Sequence, residues 1–191
     1  DPVNTSGIKD ATVSVRDNEN RSFIFQYEKD GYYIHRSFKP IAGRSYALNV
    51  TVQKQKYIAS CRMPSYVAVE STGTAEKSLA EKNYFFATLT FKDPANISNY
   101  YVYTLSSNGG PFRFARAESD QFNDGLKVTH YITDRENDLN RGDAITVRRY
   151  CVDEKTYQYW NEYQNNNLSN AAPSNPKSNI SNNALGYFSV A

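Results

Sequence analysis

The densest group of acidic side chains in this sequence lies in the segment TDRENDLNRGD, which ends at Asp143. The segment carries four carboxylates, those of Asp134, Glu136, Asp138 and Asp143. Hard cations such as Ca²⁺ bind oxygen ligands, and acidic residues at alternate positions are typical of a calcium loop. However, Leu139 stands where the helix-loop-helix calcium motif requires glycine, and no glutamate follows at the last ligand position. We therefore expect a solvated hairpin loop and no metal.

The sequence carries no strong catalytic signature. Its two histidines, His35 and His130, fall in different groups of predicted strands, so they cannot form a multi-histidine metal site by themselves. The motifs of zinc metalloproteases, hydrolase nucleophile elbows and phosphate-binding loops do not occur. Two carboxylates across a cleft could hydrolyse glycosides, but the 20 acidic residues single out no pair. We expect no catalytic residue, cofactor or metal, and keep a carbohydrate-active hydrolase as the alternative.

Tyrosine is the residue type best suited to binding in this chain, which has 16 Tyr and 10 Phe. A tyrosine ring can stack on a sugar or anchor a protein interface while its hydroxyl stays in water. In the segment NYYVYTL, Tyr101 and Tyr103 lie on one face of a predicted strand, and Tyr100 lies on the other. Tyr100, Tyr101 and Tyr103 are therefore the candidate ligand or partner contacts, with packing in the core as the alternative interpretation.

The two cysteines, Cys61 and Cys151, alternate with apolar residues in two predicted strands. We expect buried free thiols, because the two residues fall in different groups of strands. A disulfide between the two groups is the alternative in an oxidising compartment.

Charge and hydropathy argue against two classes of function. The 22 basic and 20 acidic residues are interspersed and give a net charge of +2, so we expect no binding to nucleic acid. No apolar run is long enough to span a bilayer, so we expect no transmembrane helix.

Alternation of apolar and polar residues with a period of two predicts a mostly antiparallel β protein. In SYALNVTV, for example, Tyr46, Leu48 and Val50 would face inward. The other predicted strands are ATVSVR, SFIFQY, YYIH, KYIASCR, YFFATLTF, YYVYTL, KVTHYIT and AITVRRYCV. Turn-forming segments separate them, and strands of this length and spacing are typical of a sandwich or barrel.

One helix is predicted near residues 154–165, in the segment DEKTYQYWNEYQNN. Asp153 can cap its first turn. Tyr157, Trp160 and Gln164 share one face of this helix, which we expect to cover a sheet. A second aromatic stripe consists of Tyr159 and Tyr163, and we expect it also to cover a sheet and not to bind a ligand.

The strands are predicted to form two domains. The polar segment 69–83 separates two groups of strands, so we place the boundary there. Residues 1–70 are expected to form one β-sandwich domain, and residues 71–191 a second β-sandwich-like domain that includes the helix.

The segment SNISNNALGYFSV changes from polar to apolar near Ala184. Its apolar part, ALGYFSV, is predicted to be a last strand that returns to a sheet, with Gly186 at a bulge or a close backbone approach. Asn182 and Asn183 precede it and can adopt the positive φ of a turn, since asparagine tolerates that conformation better than other non-glycine residues.

Three segments, GDAITVRRYCVD, TYQYWNEYQ and SNPKSNISNNALGYFSV, resemble the C-terminal signature of the domain-of-unknown-function 4249 family of bacterial envelope lipoproteins. The most specific pieces are Asn175-Pro176, Ser178-Asn179-Ile180 and Ala184-Leu185-Gly186-Tyr187-Phe188. Upstream, GIKDATVSVRD and FKDPANISNYYVY match that family's order of strands and turns. The first half also resembles the transthyretin-like sandwich of many envelope proteins. The predicted fold class is thus all-β, with two transthyretin- or immunoglobulin-like sandwiches and one short C-terminal helix.

The resemblance implies an exported protein of Bacteroidota-type bacteria. It also implies attachment to the outer membrane, on its surface or periplasmic face, through a lipidated N-terminal cysteine. That cysteine and the strand usually found before GIKDATVSV do not stand in the sequence, so we expect membrane contact only through an anchor outside it. The implied partner is a TonB-dependent outer-membrane transporter, and a glycan or peptide is the expected ligand.

The function expected from these observations is that of a non-enzymatic accessory protein that binds a ligand or partner. The carbohydrate-active hydrolase is one alternative. Another is an adhesin or matrix subunit that assembles by strand addition, whose sign would be an open hydrophobic groove beside ATVSVR.

Overall fold

The structure is a computed structural model that describes residues 7–79, 82–134, 139–166 and 175–191. The described residues form eleven strands and one helix. The strands are β1 Thr12–Asp17, β2 Ser22–Lys29, β3 Tyr32–Ile34, β4 Ser45–Val52, β5 Gln55–Arg62, β6 Ser71–Leu79, β7 Lys82–Lys92, β8 Tyr100–Ser107, β9 Arg113–Ser119, β10 Lys127–Ile132 and β11 Ile145–Val152. The helix is α1 Glu154–Asn166.

The first five strands form one antiparallel sheet in the order β3-β2-β1-β4-β5. Tyr46 and Cys61 are paired across β4 and β5, and both are buried on the inner face of this sheet. Phe38 from a loop, together with Phe188 and Val190 from near the C-terminus, packs against them. The core of this sheet is therefore completed by segments that are not strands.

Strands β6 to β11 form two further sheets, in the orders β10-β7-β6 and β11-β8-β9. Side chains from both sheets share one hydrophobic core, in which Phe91 of β7 lies with Tyr101 and Tyr103 of β8. These sheets therefore pack as a β-sandwich. The predicted fold class, mostly β in sandwich-like packing with one short helix, is confirmed.

Helix α1 covers the outer face of the sheet β11-β8-β9. The carboxylate of Asp153 caps it, because Oδ1 accepts a hydrogen bond from the backbone N–H of Thr156 at 3.0 Å. Tyr157 and Trp160 pack on the sheet, and Oε1 of Gln164 accepts a hydrogen bond from a backbone N–H of β9 at 3.0 Å. The predicted cap and the predicted sheet-facing side of the helix are confirmed. Within the described ranges, no helix is long and apolar enough to cross a bilayer.

The polar segment 69–83 is largely β structure. Residues 71–79 form β6, which pairs in register with β7, while residues 80 and 81 lie outside the described ranges. Every strand before this segment belongs to the five-stranded sheet, and every later strand belongs to the sandwich. The division into domains 1–70 and 71–191 stays a prediction.

The predicted closing strand in ALGYFSV is wrong, because residues 184–190 form no strand. Their backbone is held by a side chain instead: Asn179 donates from Nδ2 to the carbonyl of Phe188, and its Oδ1 accepts from the N–H of Phe188, both at 2.8 Å. Gly186 has a φ of 93° with open space where a Cβ would stand, so it marks neither a bulge nor a close approach. The predicted turn at 182–183 is confirmed by φ values of 59° and 55°.

The groove expected beside ATVSVR for strand addition is not present, because β1 lies between β2 and β4. The edge strand β5 is partly covered by the C-terminal segment. The N–H of Ser181 donates to the carbonyl of Ile58, and the N–H of Ile58 donates to Oγ of Ser181, both at 2.9 Å. Asn182 also donates from Nδ2 to the carbonyl of Lys56 at 2.6 Å.

Candidate functional site

The three tyrosines predicted as contacts all take part in packing. Tyr101 and Tyr103 are 1% and 0% exposed. The hydroxyl of Tyr101 donates to Oδ1 of Asp93 at 2.6 Å, and burial raises the pKa of both phenols. Tyr100, on the opposite face, stacks on Tyr157 of the helix with 5.0 Å between ring centroids. Burial leaves Tyr101 and Tyr103 no surface for a ligand, so their position does not support the predicted contact role.

The histidines and cysteines are not brought together into a site. His35 lies beside the phenylalanines of the five-stranded sheet, whereas His130 is buried in the sandwich. Cys61 and Cys151 are both free thiols. Burial raises the pKa of Cys61 to about 12, so this thiol is unreactive at neutral pH.

The acidic segment predicted to be a solvated loop is described only in part, since Glu136 and Asp138 lie outside the described residues. Asp143 accepts hydrogen bonds from Nδ2 of Asn108 at 2.8 Å and from the N–H of Asn140 at 2.7 Å. The bond from Asn108 is the main reason that the pKa of Asp143 is lowered. This carboxylate therefore stabilises a turn.

A second acidic cluster, which the sequence pattern did not reveal, joins the loop before β8 to the loop before β10. Carboxylate oxygens of Asp93, Asp120 and Asp124 all lie within 4.8 Å of one another. Burial, with repulsion from Asp120, raises the pKa of Asp93. Such an oxygen set is of the kind that hard cations bind. The sequence reading missed it because its members stand in two turn segments far apart in the chain.

Two of these carboxylates already hold a loop in place. Oδ2 of Asp120 accepts from the N–H of Asn99 at 2.7 Å, and Oδ1 of Asp124 accepts from the N–H of Asn96 at 2.8 Å. Asp93 and Asp120 are 1% and 8% exposed, so a polysaccharide cannot reach them. The cluster therefore has a structural role, and it does not provide the open pair of acids that a glycoside hydrolase needs.

The candidate ligand site is a cleft of about 930 Å³ between β9 and α1. Phe114 and Trp160 stack with 4.6 Å between ring centroids and an interplanar angle of 9°. Tyr163 meets both of these rings edge-on, at 5.5 Å from each. Tyr159 of the same helix also lines this wall. We call this site the aromatic cleft, defined by Phe114, Tyr159, Trp160 and Tyr163.

Polar groups complete the aromatic cleft. Arg113 and Asp134 bring opposite charges to its lining, and Ser107 adds a hydroxyl. An apolar surface with a few polar groups is typical of sites for small molecules and short polymers. Tyr163 is the most exposed of the four rings, at 36%, and can contact a flat ligand face, while the polar groups can hydrogen-bond to its edge.

The C-terminal segment packs against two of the aromatic rings that line the cleft. The ring of Tyr187 lies 4.9 Å from that of Tyr159 and 5.4 Å from that of Trp160. Burial raises the pKa of Tyr187 above its ordinary value. One of the segments most specific for the family resemblance thus fixes one wall of the candidate site.

Sequence reasoning did not predict this site. The helical stripe of Tyr159 and Tyr163 was visible from its spacing, but it was expected to cover a sheet and not to bind a ligand. Phe114 was missed because β9 was not among the predicted strands. The pairing of β8 with β9 shifts register, because Tyr103 and Thr104 pair with Arg116 and Phe114 and leave Ala115 of β9 without a partner in the register. Such irregularities interrupt the simple alternation on which strand prediction depends.

Comparison with known proteins gives one match. The model of the family described as "Domain of unknown function (DUF4249)" matches residues 1–191, which includes every sheet, the helix and the C-terminal segment. No curated protein and no solved structure matches the chain. The match extends over the full length of the sequence, so this chain belongs to the DUF4249 family.

Proposed function

We propose that this protein is a non-enzymatic binding protein of the bacterial cell envelope, and that the aromatic cleft is its ligand site. The observation that carries the proposal is the packed group of rings around Trp160. Tyr159, Trp160 and Tyr163 are held by the helix and Phe114 by a strand, so the surface is preformed and little ordering is needed on binding. A glycan or a peptide with an aromatic or flat face fits such a surface.

The cellular setting is part of the same proposal. Membership of the DUF4249 family, together with the resemblance to envelope lipoproteins, supports an exported Bacteroidota protein that a lipid anchor tethers to the outer membrane. A TonB-dependent transporter in that membrane is the proposed partner. The accessory would hold the ligand at the membrane until the transporter takes it up.

A binding role fits the described acids better than a catalytic role does. Asp120 and Asp124 hold a loop, Asp93 accepts from the buried hydroxyl of Tyr101, and Asp143 holds a turn. Asp134 lines the aromatic cleft.

Intrinsic fluorescence gives a direct test, because Trp160 is the only tryptophan in the chain. We expect a member of a panel of oligosaccharides and peptides to change this fluorescence in a saturable way. Tyr163→Ala should weaken that ligand about tenfold, the effect of losing roughly 1.4 kcal/mol of stacking. The matched control is Tyr32→Ala, which removes an exposed ring on β3 and should leave the affinity unchanged.

Two results would contradict the proposed site. In one, no oligosaccharide or peptide changes the fluorescence of Trp160. In the other, Tyr163→Ala binds the ligand as tightly as the wild type. The proposed partner is tested separately by solubilising the full-length protein from the membranes of its own organism, where recovery without any transporter would reject the accessory role.

A further inference from the structure

A second cavity, of about 580 Å³, lies between the five-stranded sheet and helix α1. Residues of β4 and β5 line the floor of this cavity, and the apolar ones among them are Ala47, Leu48, Ile58 and Ala59. The helix forms one wall with Lys155 and Gln158, and the segment 177–181 forms the other. We call this cavity the cationic groove, defined by Leu48, Asn49, Ile58, Ala59, Lys155, Gln158 and residues 177–181.

The walls of the cationic groove are joined to each other and to its floor. The backbone N–H of Lys177 donates to Oε2 of Glu162 at 2.6 Å, which ties the C-terminal segment to the helix. Ser181 exchanges hydrogen bonds with Ile58, which ties the same segment to β5. The groove is therefore preformed, and a ligand does not have to order it on binding.

The charges of the groove all have one sign. Lys155 and Lys177 are the charged residues in its lining, and both are exposed. Across the part of the chain that the structure describes, neither lysine has an ion pair. Two ammonium groups beside an apolar floor attract an anion that carries an apolar body.

Three acids of the helix and its cap have hydrogen-bond partners of their own. Asp153 accepts from the N–H of Thr156, and Glu154 accepts from Nε2 of Gln158 at 3.1 Å. Glu162 accepts from the backbone of Lys177, as described above. In the described part of the chain, none of these carboxylates forms an ion pair with Lys155 or Lys177.

We infer that the cationic groove binds a small carboxylate amphiphile. Its carboxylate would lie against Lys155 and Lys177, and its apolar chain would lie along the apolar lining of β4 and β5. The volume of the groove is that of a small-molecule site. This site is separate from the aromatic cleft and does not depend on the proposed function.

Isothermal titration calorimetry with sodium decanoate tests the inference. We expect saturable binding to the wild type and at least about tenfold weaker binding to the double variant Lys155→Glu/Lys177→Glu, because two attractive charges become repulsive. The control with the same change in net charge is Lys29→Glu/Lys39→Glu, which alters exposed lysines outside the groove and should bind like the wild type. The variant Lys155→Arg/Lys177→Arg keeps both charges and should retain binding.

Two further probes examine the chemistry of the ligand. Decyltrimethylammonium has the same chain with the opposite charge and should not bind. Inorganic phosphate has the negative charge without the chain and should bind more weakly than decanoate.

Four outcomes would overturn the inference. They are no saturable binding of decanoate, equal binding of decyltrimethylammonium, equal binding by a folded Lys155→Glu/Lys177→Glu variant, and loss of decanoate binding in Tyr163→Ala. The last of these would place the amphiphile in the aromatic cleft. Circular dichroism and thermal unfolding establish that each variant is folded before its affinity is compared.

Discussion

The phenol oxygen of Tyr103 lies 2.8 Å from Nδ1 of His130, with both side chains buried between the sheets of the sandwich. Burial raises the pKa of Tyr103, so we assign the tyrosine as the donor and the neutral imidazole as the acceptor. Burial also lowers the pKa of His130 to about 4, with further contributions from Arg116 and Arg149. Protonation of this imidazole would remove the acceptor and place an unpaired charge in the core.

This pair predicts a loss of stability in weak acid. The unfolded state binds a proton near the ordinary histidine value of 6.5 and the folded state only near about 4, so between these values the unfolded state holds more protons. Stability should therefore fall by about 3 kcal/mol as the pH falls across this interval. Urea unfolding at several pH values measures this change in the free energy of unfolding.

The variant His130→Asn isolates this contribution. It keeps a hydrogen-bonding group near Tyr103 and removes the titrating imidazole. We expect it to be less stable than the wild type at neutral pH, because ring contacts are lost, but to show a flatter dependence on pH. Parallel curves for the two proteins would show that His130 does not cause the acid sensitivity.

The buried carboxylate of Asp93 should make stability depend on pH in the opposite direction. Its pKa is raised in the folded state, so as the pH falls through that range the folded state takes up the proton first and is stabilised. Asp93→Asn removes the buried charge, while its amide oxygen can still accept from Tyr101. Relative to the wild type, we expect this variant to lose stability as the pH falls through the raised pKa of Asp93. The exposed Asp10→Asn is the control, and an Asp93→Asn curve that runs parallel to the wild type would refute the prediction.

The cap of helix α1 predicts a defined cost. Asp153→Ala removes the acceptor of the Thr156 N–H and should lower the free energy of unfolding by about 1 kcal/mol. Asp153→Ser keeps an oxygen at the cap and should be close to the wild type. Urea unfolding compares the three proteins, and equal losses for alanine and serine would mean that the cap is not the source of the effect.

Asn179 predicts local opening near the C-terminus. Asn179→Ala removes both hydrogen bonds to the backbone of Phe188 and should cost about 2 kcal/mol. We expect hydrogen exchange in residues 184–190 to accelerate more than exchange in the sandwich. The control Asn183→Gly keeps the left-handed turn, where φ is 55°, and should leave exchange in this segment slow. Uniform acceleration across the whole chain would argue against a local role for Asn179.

The strands were predictable where one face packs in a hydrophobic core and the other is exposed. Tyr46 and Leu48 alternate with exposed residues in β4, as the sequence pattern indicated, because Phe38, Phe188 and Val190 cover one face of the sheet. The prediction of a strand in ALGYFSV was wrong for a physical reason that the alternation of apolar and polar residues does not reveal. A single amide, that of Asn179, satisfies the backbone of Phe188 in place of a neighbouring strand.

The candidate sites were harder to predict than the fold. The aromatic cleft needs the ring of Phe114 from β9 to stack on Trp160 of α1, and two strands separate these elements in the chain. The cationic groove needs β5, the helix and the C-terminal segment to meet. Contacts between elements so far apart in the sequence follow from the order of the strands and the docking of the helix. The periodicity of apolar residues along the chain specifies neither.

The contact between Ile58 and Ser181 joins residues that are 123 positions apart. Val190 likewise packs near Tyr46 and Cys61. The five-stranded sheet therefore completes its core with residues that follow the sandwich strands in the sequence. Contacts of high sequence separation form slowly, since the entropy of closing the loop is lost before the contact is gained. We therefore expect docking of the C-terminal segment to be a late folding event, whose rate is set by topology more than by the strength of its contacts.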